Sequence, residues 1–253
     1  MDLELKGLRA IVTGGTKGIG RGIADTLAAE GAHVSICARN GAEVAATVKA
    51  LNGAGVRSMG RALDVSDAAA LKSWVDETAE AFGGIDIVVA NVSAMAIEND
   101  EAAWQIGFTV DLMGTVRLVD AALPYLEKSA KPSIVTIASI SARDIDFTAG
   151  PYGAYKAAIA HYTQGLAFRL GPKRIRANSV SPGDTYFDGG VWEKIRADDP
   201  KIYDASIAAC PLGRMGTPLE MGKAVAFLAS PAASFVNGAN LVVDGALTSG
   251  VQL

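Results

Sequence analysis

The chain has 253 residues, half of them apolar, and a net charge of −4, enough for one large α/β domain or two small ones. With no basic excess it lacks the footprint of a nucleic-acid or membrane-surface partner, and no apolar run reaches the ~18 residues of a membrane span. The opening MDLELKGLRA has no secretory h-region. Two cysteines (Cys37, Cys210) and two histidines (His33, His161) without metal-ligand spacing argue against a disulfide framework or a zinc site and fit a reducing cytoplasm.

In chain order, β-branched runs at RAIVTG, HVSICA, VRSMGRAL, IDIVVAN, PSIVTIAS, IRANSVS and NLVVDG predict about seven strands. Helical apolar spacing covers 19–30, 41–51, 67–81 and 101–128, and a further helix is expected over 152–170. Strand–helix alternation predicts an α/β fold, a Rossmann-like doubly wound sheet of about seven parallel strands with helices on both faces. Near-continuous apolar strands agree, because parallel strands are buried on both sides. No linker or repeat divides the chain, so residues 1–253 are expected to form a single dinucleotide-binding domain. The one break in the alternation is 182–212, PGDTYFDGGVWEKIRADDPKIYDASIAACPL, expected to be a substrate-loop insertion acting as a lid.

After the first strand, IVTGGTKGIGRGIADTL places Gly14, Gly18 and Gly20 in a G-x-x-x-G-x-G loop that opens a helix. Glycines permit a tight turn and close backbone approach, and the helix N-terminus offers unpaired N–H groups to a pyrophosphate. Strand before, helix after and a second strand beyond make this a dinucleotide site. An acidic residue at the end of the second strand reads the ribose of NAD, whereas Arg suits the 2′-phosphate of NADP. Here SICARN puts Ala38 at that place, followed by Arg39, with Lys17 in the glycine loop. Two cations and no carboxylate favour NADP(H), with NAD the less favoured cofactor.

Further on, PYGAYKAA holds Tyr152, Tyr155 and Lys156. Residues four apart share a helix face, so Tyr152 pairs with Lys156 while Tyr155 packs elsewhere or forms a pocket wall. A phenol loses its proton near about pH 10; a neighbouring ammonium favours the phenolate and makes Tyr152 a usable proton donor or acceptor. Two serines, Ser139 and Ser141, precede it.

With TGGTKGIG, LDVSD, DIVVAN, Ser139 and Tyr152-x-x-x-Lys156 in place, and NSVSPG and NGANLVVDG further on, the chain resembles the short-chain dehydrogenases/reductases over essentially its whole length. The resemblance implies hydride transfer between a nicotinamide and a carbonyl, with Tyr152 as acid/base, Ser139 (favoured over Ser141 by its spacing) hydrogen-bonding the substrate oxygen, and Lys156 lowering the phenol pKa and holding the nicotinamide ribose. It further implies that Thr16, Lys17 and Ile19 contact the cofactor along the loop and Asp64 and Val65 the adenine. Asn91 would lie at the adenine-side ribose or fix the fourth strand, Gly183 would face the nicotinamide, and Thr185 its carboxamide. Where the family has NNAG this chain reads Ala90-Asn91-Val92-Ser93, and the family's catalytic Asn is Asp111, expected to complete a relay of Tyr152, Lys156, water and its own backbone carbonyl. The expected substrate pocket is Ser93, Met95, Ile97, Ile145, Phe147, Tyr186, Phe187 and Trp192, with Arg143 near an anionic tail. That lining suits a hydrophobic or small ketone, 3-oxoacyl-type, xenobiotic or steroid-like. The rivals are an NADP-sensing scaffold without catalysis, which would be expected to lack the phenol or the amine, and an extended-type epimerase or dehydratase, which would need a further substrate domain. The resemblance also implies a homotetramer or homodimer packed through the long helices and the last strand.

Overall fold

The computed structural model describes residues 2–250. Seven strands form one parallel sheet in the order β3-β2-β1-β4-β5-β6-β7. They are β1 (Arg9–Thr13), β2 (His33–Ala38), β3 (Ser58–Ala62), β4 (Ile87–Ala90), β5 (Ser133–Ile137), β6 (Arg176–Pro182) and β7 (Asn240–Val243). The helices are α1 (Gly18–Ala29), α2 (Gly41–Gly53), α3 (Ala68–Phe82), α4 (Glu101–Gly107), α5 (Met113–Leu126), α6 (Pro151–Leu170), α7 (Val191–Asp198), α8 (Pro200–Ala209) and α9 (Pro218–Ala229). All seven expected strands are present, and the single parallel sheet is the expected one.

The central strands feed two cores because successive side chains point to opposite faces. Ala10, Val12, Val34, Ile36, Ile87, Val89, Val135 and Ile137 pack under α1, α2 and α9, against Ile23, Leu27, Val44, Leu51, Val225 and Leu228. Ile11, Cys37, Val88, Ala90 and Ile134 pack under α3, α5 and α6, against Leu71, Trp74, Leu118, Leu126 and Leu166. Cys37 is thus a core thiol, pushed up to about 12 by burial and so unreactive. Helices α1 and α9 touch through glycines. A Cβ on Gly22 would meet the Pro218 carbonyl oxygen at 2.3 Å, and one on Gly222 the Gly22 oxygen at 2.4 Å.

The sheet order reverses between β1 and β4, so a crevice opens beyond their carboxyl ends, the place where such sheets bind ligands. Into it run the turn after β1, the segment after β4, the β5–α6 connection and the chain after β6.

One expected element is corrected. Residues 101–128 are not one helix: α4 and α5 are separated by a π-helical turn, Phe108–Leu112. A π turn takes an extra residue per turn and shifts the facing of the residues beyond it. Here it leaves Asp111 2 % exposed, facing inward. The junction needs Gly107, since a Cβ there would lie 2.7 Å from the ring of Tyr155. Tyr155 also meets Trp104 edge-on, with ring centres 5.7 Å apart; it packs α6 on α4 and takes no part in the crevice. Among the described residues no helix is long and apolar enough to cross a membrane.

Candidate active site

The crevice holds two cavities that share Lys17 and Ser93. The first, about 540 Å³, is lined by Gly14, Thr16, Lys17, Ala38, Arg39, Asn40, Glu43, Asp64, Val65, Ile106 and Val110. The second, about 270 Å³, lies against Ile19, Gly20 and Asn91 on one side and Ser139, Tyr152, Lys156, Gly183 and Thr185 on the other.

The turn after β1 is built for close approach. Gly14 and Gly18 have φ of +68° and +51°, conformations that L side chains rarely adopt. A Cβ on Gly20 would sit 2.1 Å from the Gly14 carbonyl oxygen. Asn91 pins this turn to β4 by donating through Nδ2 to the Thr13 carbonyl (3.0 Å), which is the strand-fixing role of its two expected ones. Helix α1 has Lys17 at its N-cap, which gives no side-chain cap, and no acidic residue in its first turn, so its first N–H groups are left for an anion. α2, by contrast, is capped by Asn40, which accepts from Ala42 N and Glu43 N. These features fit the pyrophosphate of a dinucleotide, with Asp64, Val65 and Arg39 along the adenosine-side cavity. The Asp64 carboxylate is held below its usual range mainly by the Ser66 N–H, which it accepts at 2.8 Å.

The expected pair of cations on the adenosine side comes with an acid that the sequence reading had not placed there. Glu43, in the first turn of α2, binds Lys17 at 2.8 Å and accepts from Thr16 (3.3 Å) and Asn40 Nδ2 (3.0 Å). The cavity that Lys17 and Arg39 line therefore contains a carboxylate.

The second cavity is assembled around the β5–α6 connection and the start of α6. Ser139 lies two residues beyond β5, buried, at the N-cap of the short 3-10 turn Ile140–Ala142. Tyr152 and Lys156 lie one turn apart on α6, the amine 5.6 Å from the phenol ring centre. Lys156 is fully enclosed, donates to the Ile137 carbonyl at 2.8 Å and stands 4.0 Å from Asp111 Oδ1. Asp111 Oδ2 accepts from Ala94 N at 2.8 Å, fixing the segment after β4, while Oδ1 is the one buried side-chain oxygen or nitrogen without a hydrogen-bond partner among the described residues. The Asp111 backbone carbonyl, the atom expected to relay protons, accepts from the Thr115 hydroxyl at 2.7 Å.

The electrostatics differ from the simple picture of an ammonium lowering a phenol. Burial pushes Tyr152 up to about 12; Ser139 works against this, while Asp111 and Asp146 add to it. Burial also lowers Lys156, opposed by Asp111. The phenol therefore holds its proton firmly, and Asp111 offsets part of the desolvation of the lysine.

Of the residues expected at the substrate pocket, Ser93, Met95, Phe147, Phe187 and Trp192 line this second cavity. Tyr186 does not: its ring meets Tyr203 edge-on, centres 6.1 Å apart. Ile145 is 91 % exposed, and neither it, Ile97 nor Arg143 reaches the cavity. Phe187 lies on the glycine turn, where a Cβ on Gly18 would be 2.5 Å from the ring. Thr185 is buried and donates to the Gly183 carbonyl at 2.9 Å. Two residues the sequence reading missed face the same space, Asp146 from the β5–α6 connection and Asp184 after β6. Asp184 is pushed up, chiefly by burial and further by Asp146, with the Ser206 hydroxyl opposing. No spacing rule points to either, because each lies in a connection and faces the cavity only once the sheet has formed.

A family model described as enoyl-(acyl carrier protein) reductase matches residues 14–248. The chain is 40 % identical to isoepoxydon dehydrogenase of Penicillium expansum, covering 98 % of this chain and 97 % of that one. The L-sorbose reductase of Gluconobacter frateurii, solved with NADPH and L-sorbose, superimposes with a TM-score of 0.91 at 27 % identity, over 99 % of this chain and all of that one. A 7α-hydroxysteroid dehydrogenase solved with NADH and 7-oxo glycochenodeoxycholic acid superimposes with the same TM-score at 29 % identity, over 97 % and 96 % of the two chains.

Proposed function

The chain belongs to the short-chain dehydrogenase/reductase family of oxidoreductases, and from that premise we propose that it interconverts a small ketone and its secondary alcohol with NADP(H). The observation that carries this reading is the convergence of Ser139, Tyr152 and Lys156 on one cavity that also touches the glycine turn. When bound, the nicotinamide supplies or accepts the hydride. The protein orients the carbonyl against Ser139, and Tyr152 delivers the proton to its oxygen in reduction and takes it back in oxidation. Lys156, held by Ile137, places a positive charge beside the phenol when the proton leaves. Segment 182–212 acts as the lid, with Phe187 its contact to the turn that receives the pyrophosphate.

The apolar walls and modest volume favour a compact ketone, and the acidic lining by Asp146 and Asp184 disfavours a carboxylate next to the reacting carbon. NADPH oxidation should be measured with a cyclic ketone, a 3-oxoacyl thioester, a keto acid and an enoyl thioester. Turnover with the cyclic ketone ahead of the keto acid supports the reading. Tight NADPH binding without turnover on any of them would favour the sensing scaffold instead, and turnover on the enoyl thioester alone would replace it with alkene reduction.

NADP(H) is favoured over NAD(H) because Arg39 and Lys17 line the adenosine-side cavity and Ala38 takes the acidic position. Glu43 opposes that preference. Glu43→Gln is expected to tighten NADPH about threefold, the scale of an exposed charge contact, and to leave NADH unchanged; fluorescence titration with both cofactors checks it. The exposed Trp104, Phe108 and Phe168 on α4, the π turn and α6 support assembly as a homodimer or homotetramer, which light scattering would measure directly.

A further inference from the structure

Ser139 is wired to a carboxylate. Its hydroxyl donates to Ser141 Oγ at 3.1 Å, and the Ser141 hydroxyl donates to Asp146 Oδ2 at 2.6 Å. Asp146 is locked by Thr148, whose N–H and hydroxyl both end on Oδ1, at 2.7 and 2.6 Å. A hydroxyl carries one proton, and a carboxylate only accepts, so the direction of the whole chain is set at its Asp146 end. Ser139 Oγ also accepts the Ser141 N–H at 3.1 Å, which leaves it one lone pair for the side where Tyr152 stands.

We propose that Asp146 is a positioning residue: through Ser141 it turns the Ser139 proton away from the reacting centre, so that Ser139 faces the Tyr152 hydroxyl as an acceptor. The phenol then donates to Ser139 in the resting site. For Ser139 to donate to a substrate carbonyl, the bond from Ser139 to Ser141 must first break. An anionic Tyr152 would likewise find no donor in Ser139 until that bond breaks. The other ionisable groups around the phenol are Lys156 on its own helix, Asp111 from the π turn and Asp184 across the cavity. None of them touches the serine pair by a hydrogen bond. This inference rests on the assignment of Ser139 and Tyr152 to the reaction but not on turnover.

The test is ¹³C NMR of the whole protein labelled at tyrosine Cζ, with Tyr152 assigned by its loss in Tyr152→Phe. Ser141→Ala frees the Ser139 proton to stabilise the phenolate, so the Tyr152 titration midpoint should fall by about one pH unit, tenfold more phenolate at a given pH. Ser141→Thr, which keeps the hydroxyl, should restore the wild-type midpoint. Asp146→Asn, whose amide can donate to Ser141 and reverse the chain, should lower the midpoint at least as far. An unchanged midpoint in Ser141→Ala, or equal midpoints in the Ala and Thr variants, overturns the proposal. Failure of the ketone assay would instead strike the proposed reaction and leave the titration readable.

Discussion

Tyr152→Phe is expected to lower kcat for ketone reduction about 1,000-fold while NADPH binding changes by less than about threefold. In the proposed reaction the proton that reaches the substrate oxygen comes from one hydroxyl, and removing a positioned general acid costs about 10²–10⁴ in rate. Phenylalanine keeps the ring that Lys156 approaches at 5.6 Å, and in the proposed reading the cofactor is held by the glycine turn and Lys156, so the ground state should be left nearly intact. A rate loss with binding preserved means that the hydroxyl acts in the transition state; parallel loss of both would assign it to binding. The same phenol sets the pH dependence. Because burial pushes it up to about 12, the protonated form predominates below that value, and reduction, which needs the proton, should not decline across pH 6–8 on its account. Oxidation of the alcohol needs the phenolate, whose fraction rises tenfold per pH unit below the midpoint, so oxidation should climb steadily over pH 7–10. A plateau of oxidation already reached at pH 7 would show that the cofactor, when bound, pulls the phenol far below about 12.

Most of this architecture was legible because it is written in local periods. Seven apolar runs bounded by turn residues became seven parallel strands, and the alternation of strand side chains between two cores explains why the runs are continuous rather than alternating. The glycine loop was legible for the same reason: Gly14, Gly18 and Gly20 are needed by backbone geometry at their own positions. That Tyr152 and Lys156 share a helix face came from their spacing, and their roles from the family resemblance. The features that stayed hidden depend on facing rather than spacing. The apolar pattern of 101–128 cannot reveal a π turn, which changes the phase by one residue and turns Asp111 inward. Tyr186 sits beside true cavity residues, yet its ring turns to Tyr203. Glu43 lies four residues past Arg39 and reads as an ordinary first-turn acid, but its helix begins beside the glycine turn, so its carboxylate meets Lys17. Asp146 and Asp184 come from separate connections that only the closed sheet brings to one cavity. The charge environment of the phenol was misjudged for that reason: the lysine was visible, and two of the carboxylates around it were not.

Lys156→Met is expected to damage both stability and rate, and Asp111 decides how much of each. The methionine fills the space of the lysine stem but removes the donor to Ile137 and the partner of a carboxylate as deeply buried as itself. Removing one member of a buried ion pair costs about 3–5 kcal/mol, because the other charge is stranded. At 4.0 Å this pair is long, so the lower figure applies, a fall in Tm of about 6–12 °C for a domain of this size. The kcat should drop at least about 100-fold with the loss of the charge beside the phenol. Asp111→Asn alone keeps an oxygen for the Ala94 N–H and removes only the charge. Asp111 is what raises Lys156 against the desolvation that lowers it, so without it the ammonium gives up its proton at lower pH. If the ammonium form supports reduction, the alkaline fall in rate should begin about one pH unit lower in Asp111→Asn; a superimposable profile would deny the carboxylate any part in the relay. The double variant separates stability from chemistry. Lys156→Met combined with Asp111→Asn no longer strands a carboxylate, so it should recover much of the lost Tm while remaining as slow as Lys156→Met. A cycle in which the two stability losses simply add would mean that the two groups do not interact across the 4.0 Å between them.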